Sequence, residues 1–113
     1  MGIGNAANTH LMYETIRHEH LDGLVNWARG EFPDAGLSLV GCADGRWFVE
    51  VDHGTDFDGL DGVSKPNISP FVPPQFFVTM LEAREFAYSC IKTIYPDLKD
   101  KDLSEYYSDD EWE

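Results

Sequence analysis

Two runs of strand-forming residues, Leu37 to Ala43 and Arg46 to Asp52, are separated by Asp44-Gly45. That dipeptide accepts positive φ and closes a tight turn, which commits the middle of the chain to an antiparallel hairpin over about 37–52. Trp47, Val49 and Val51 alternate with Arg46, Phe48 and Glu50, so one face of the hairpin is apolar and must be covered. A hairpin alone is marginal in water. A third strand is therefore expected, either from the stretch near 67–71 or by pairing across a homodimer.

Two helices are expected to provide the cover. Asn8 or Thr9 can cap a helix running to about Arg29, because Tyr13, Ile16, His20, Leu24 and Trp27 recur at spacings of three and four. Gly30 suits the left-handed residue that ends such a helix, and Pro33 prevents its continuation. Pro73 and Pro74 fit the first turn of a second helix over about 74–95, apolar over a wide arc from Phe76 to Tyr95 and stopped by Pro96. Between hairpin and second helix, residues 53–74 are rich in Gly, Asp, Pro and Ser and read as a loop.

At 113 residues, with 42% hydrophobic and 13% aromatic content, the chain has the size and composition of a single folded domain. The expected class is α+β: a small antiparallel sheet packed against two helices. Residues 1–96 form the globular domain, and 97–113 an acidic tail that carries aromatics and has a short helical turn near 101–107. No run approaches the ~20 apolar residues that span a bilayer, and no basic and apolar leader opens the chain, so a cytoplasmic location is expected. Ala6 stands where a myristoylation signal requires Ser or Thr. Cys42 and Cys90 are expected as buried thiols, since two cysteines make neither a disulfide framework nor a CxxC site.

Charge is the outlying property. Asp and Glu number 21 against 8 Lys and Arg, a net −13, where solubility alone is served by a magnitude of about 2 to 8. Residues 50–64 hold five acids and no base, and residues 97–113 hold eight acids and two lysines. These two blocks account for nearly all of the excess. Direct binding to nucleic acid or to an anionic membrane is disfavoured, because such affinity rests on Lys and Arg neutralising phosphates. A basic protein is the expected partner. The candidate binding residues are Glu50, Asp52, Asp56, Asp58 and Asp61 in the first block, and Asp97, Asp100, Asp102, Glu105, Asp109, Asp110, Glu111 and Glu113 in the second. Tyr106, Tyr107 and Trp112 join them as aromatic anchors, the residue types that dominate interface hot spots. Their alternative role is to fold back onto the domain itself.

Neither a cofactor nor a metal is expected. From Asp52 to Gly62 no frame gives the acid, glycine and glutamate spacing of a calcium loop. His18, His20 and His53, with Glu14, Glu19 and Asp22, invite a metal reading, but on a helix His18 would neighbour Glu14 and Asp22 while His20 pointed to the apolar stripe, so His18 and His20 could not chelate from one face. His20 then reads as a core-edge residue, and His10 and His18 as surface residues. GxSxG, HExxH, a phosphate-cradling glycine loop and a dinucleotide fingerprint are all missing, and no enzymatic activity is expected.

In size, charge and lack of catalytic motifs the chain resembles the small acidic inhibitors of phages and mobile elements, which block restriction or CRISPR machinery by occupying nucleic-acid-binding surfaces. This is a likeness of class and implies a DNA-mimicking, anti-defence protein. Two alternatives remain: an immunity protein that neutralises a cognate nuclease toxin, and a non-enzymatic homo-oligomeric structural or regulatory subunit.

Overall fold

The computed structural model describes residues 8–68 and 70–108, with the side chains of Tyr107 and Ser108 outside that description. The chain folds as α1 (Thr9–Tyr13), β1 (Thr15–His20), α2 (Asp22–Arg29), β2 (Gly36–Cys42), β3 (Trp47–His53) and α3 (Met80–Ile94). A 3-10 turn over Pro96–Leu98 and a short α4 (Glu105–Ser108) follow. The sheet is antiparallel with order β1-β2-β3. No helix among the described residues is long and apolar enough to cross a membrane.

The expected hairpin is β2 and β3, turned through Gly45 at φ 93°. The expected first helix, over 9–29, is not continuous. Asn8 caps a five-residue α1 by accepting from the Leu11 amide at 3.1 Å. Glu14 then adopts left-handed geometry at φ 52°, and the chain extends into β1. The physical reason lies in β2, every residue of which is buried. Its backbone needs hydrogen-bonding partners on both edges, and Thr15-Ile16, both β-branched, begin a segment suited to pairing there. Tertiary pairing overrides the helical spacing, and Ile16 points largely to solvent instead of joining a buried stripe. The third strand therefore comes from residues 15–20 and not from the stretch near 67–71, where none of the described residues lies in a strand.

Leu37, Leu39, Val49 and Val51 face α2 and α3 and form the main core with Leu24, Val25, Ala83, Ala87, Cys90 and Ile91. Ala83 and Ala87 are completely buried, small residues that let α3 approach the sheet. Arg29 is the last residue of α2, and Gly30 at φ 85° ends that helix as expected. The second helix starts later than Pro73-Pro74 suggest. Thr79 caps it, its side chain accepting from the Glu82 amide at 3.1 Å, and residues 79–82 carry the Thr-x-x-Glu pattern of a capping box. The delay frees Phe77 to pair with Trp47 through two backbone hydrogen bonds, while Ser64 bonds to Val49 and Val51. Both contacts cover the outer edge of β3.

On the opposite face, Val40, Cys42 and Phe48 form a smaller core with Tyr13 and Phe76. Phe48 lies edge-on to Tyr13 and Phe76 at centroid separations of 5.4 and 5.6 Å. Packing continues past the expected boundary at Pro96, for Leu98 and Leu103 are buried in the main core. Both cysteines are free and buried; burial pushes the Cys90 thiol up to about 11, which makes it a poor nucleophile near neutral pH.

Phe48→Ala should destabilise the fold by about 3–5 kcal/mol in a denaturant melt. A loss below about 1 kcal/mol would show that the second face is not a core.

Candidate acidic interface

One end of the sheet gathers residues that lie far apart in the chain. There β1 ends at His20, α2 begins at Asp22, β2 begins at Gly36 and β3 ends at His53. Gly36 pairs with His53 and Leu37 with Val51, leaving Asp52 as the extra residue of a bulge. A bulge re-aims side chains, and here the adjacent Asp52 and His53 both come within 4.8 Å of Asp22, measured between their ligating atoms. His53 Nε2 hydrogen-bonds Asp22 Oδ2 at 2.9 Å, and His20 Nδ1 hydrogen-bonds Asp52 Oδ2 at 2.8 Å. Gly36 is required beside them, because a Cβ there would collide with the Asp22 carboxylate and the His53 ring.

The hydrogen bond that His53 donates to Asp22 raises the His53 pKa above its ordinary value of 6.5, opposed by partial burial and aided by the charges of Asp22 and Asp52 and by the Asp34 backbone. The stabilisation from a raised imidazole is fully present below 6.5 and is lost as pH climbs through the higher folded value.

Ser38, His20 and Asp52 have the composition of a hydrolytic triad without its geometry. Ser38 Oγ, at 3.1 Å, and Asp52 Oδ2 both converge on the same Nδ1, whereas a triad uses opposite ring nitrogens. Ser38 is also only 3% exposed.

Next to this cluster lies an acidic rim around Arg29 and Tyr95. The Arg29 guanidinium stacks over the Tyr95 ring at 4.3 Å and reaches Glu31 at 3.5 Å and Asp97 at 3.4 Å. Burial raises the Tyr95 pKa most, the charges of Asp56, Asp34 and Glu31 push it the same way, and Arg29 opposes them. Asp56 comes from the first acidic block and Asp97 from the second. Glu31 and Asp34 come from the turn between α2 and β2, so that two carboxylates meet the Arg29 guanidinium and the charges of Asp34 and Asp56 act on the tyrosine beneath it.

The other expected site residues are dispersed. Glu50 Oε2 accepts from Thr9 Oγ1 at 2.7 Å and Ser64 Oγ at 2.8 Å, binding α1 and the loop to β3. Asp52 belongs to the His20 pair. The Asp58 backbone carbonyl accepts from Lys65 Nζ, while Asp61 and Asp100 are exposed. Asp102 accepts from the Ser104 hydroxyl and amide, bonds that hold its carboxyl below the usual range. Glu105 opens α4. Tyr106 folds back, its ring 5.7 Å from that of Trp27 and its hydroxyl against Gly23. Tyr107 lies in α4; Asp109, Asp110, Glu111, Trp112 and Glu113 fall outside the described residues.

Sequence reasoning missed Glu31, Asp34, Asp22, His20 and His53 as members of this end. With residues 15–20 placed in a helix, His20 and Asp22 had no route to β3. In β1, His18 and His20 do share a face, being two residues apart on a strand. No family model, no curated protein and no solved structure matches the chain.

The His53 resonance in an NMR titration should have its midpoint above 6.5, and Asp22→Asn should bring it back toward that value. An unchanged midpoint in the variant would remove Asp22 as the cause.

Proposed function

We propose that this chain is a small acidic binding protein that occupies a basic, nucleic-acid-binding surface of a partner protein, in the manner of DNA-mimicking anti-defence inhibitors. The observation that carries this reading is the meeting of Glu31, Asp34, Asp56 and Asp97 at one rim. Acids scattered over a surface only solubilise it; carboxylates clustered on one patch create a local field that steers a basic groove into register and competes with phosphate there. Arg29 and Tyr95 give the rim a fixed floor, so the carboxylates are presented with little ordering left to do on binding.

The open edge of β1 favours a second reading, a homo-oligomeric subunit. Among the described residues β1 pairs only with β2, and Ile16 on that strand is 67% exposed. Such an assembly would be insensitive to salt, whereas docking through the rim weakens as salt rises.

The rim is tested by competition with DNA for restriction or CRISPR complexes. Neutralising Glu31, Asp34, Asp56 and Asp97 to their amides should reduce inhibition at least tenfold, about 1.4 kcal/mol, while neutralising Asp58, Asp61 and Asp100 should have little effect. Equal potency of both variants with wild type would refute the rim. Inhibition confined to a nuclease encoded beside this gene would assign the protein to the immunity class.

A further inference from the structure

We propose that Asp22, Asp52 and His53 form a binding site for one divalent transition-metal ion of the zinc and manganese class. Their ligating atoms all lie within 4.8 Å of one another, and the His53 Nε2 to Asp22 Oδ2 separation is 2.9 Å. Ligands bonded to a zinc-sized ion at about 2.0–2.2 Å stand roughly 3–3.5 Å apart, so the set is close to the required spacing. Two carboxylates and one imidazole supply a charge of −2, matching a divalent cation.

Both ligands from β3 are oriented by hydrogen bonds. His53 Nε2 is directed at the cluster, 2.9 Å from Asp22 Oδ2. Asp52 Oδ2 is held by His20 Nδ1, itself 3.1 Å from Ser38 Oγ. A hydrogen bond of this kind fixes the orientation of a ligating carboxylate in metal sites.

The independent observation is Asp22 Oδ1. This oxygen is buried and has no hydrogen-bond partner among the described residues. A buried acceptor without a donor calls for an explanation, and a cation held at this carboxylate, whose other oxygen meets His53, supplies one. The ligand chemistry also selects the ion: calcium takes six to eight oxygens, whereas an imidazole with two carboxylates suits zinc or manganese. Bound there, the ion would join the start of α2 to the end of β3. At low pH a proton on His53, shared with Asp22, competes for the same place.

Calorimetric titration of the full chain with Zn2+ and Mn2+, at a pH where imidazole is neutral, should give one ion per chain. Asp52→Asn and His53→Gln should each weaken binding at least tenfold while their metal-free circular dichroism spectra match wild type. Asp58→Asn with Asp61→Asn should bind as wild type does. Mn2+ should broaden the amide resonances of Asp22, Gly36 and His53 first. Absence of saturable binding, binding indifferent to both ligand variants, or broadening centred on Asp56 to Asp61 would overturn the site and leave only diffuse attraction to an acidic surface.

Discussion

The structure depends on β2 having a strand on each side. Every residue of β2 is buried, so its amides and carbonyls cannot turn to water for partners. The hairpin satisfies one edge, and only a second antiparallel strand satisfies the other. That requirement recruits residues 15–20 and breaks what would otherwise be a long amphipathic helix. It also places His20 beside Ser38 and within reach of Asp52. The acidic end of the sheet is thus a consequence of how the sheet is completed.

The hairpin was legible because Asp44-Gly45 sits between strand formers, and α3 was legible because its apolar arc has only one accommodation, against a sheet. Gly30 as a helix stop was likewise a local signal that needed no tertiary knowledge. β1 was not legible: Tyr13, Ile16, His20, Leu24 and Trp27 fit a helix by spacing, and the demand that overrode them comes from a strand later in the chain. The start of α3 was misplaced for another reason, since Pro73-Pro74 offered a plausible first turn that masked the Thr79-x-x-Glu82 box. At the site, charge density identified Asp56 and Asp97, but nothing linear connects them to Glu31 and Asp34. Arg29 and Tyr95 make that connection only after folding.

The acids divide by what they do. Glu50 is a structural carboxylate, satisfied by two hydroxyls that tie α1 and the loop to β3, and Asp102 organises the turn that leads into α4. Tyr106 serves the fold too, closing over Trp27, whose ring also lies 4.5 Å from the Lys101 ammonium. These uses stabilise the compact state against the repulsion that a net charge of −13 imposes. The rim carboxylates are different: Glu31 and Asp97 share one guanidinium, and the charges of Asp34 and Asp56 act on the tyrosine stacked against it. Concentrating like charge there works against stability, which accords with the proposed binding role.

The central claim, that basic partners are received at this rim and not by acidity spread over the surface, is tested most directly by an NMR titration with a short polyarginine peptide at two salt concentrations. The account predicts saturable amide shifts concentrated at Glu31, Asp34, Asp56 and Asp97 and diminished by salt. Shifts spread evenly over all acidic residues, or centred on Asp58, Asp61 and Asp100, would contradict it.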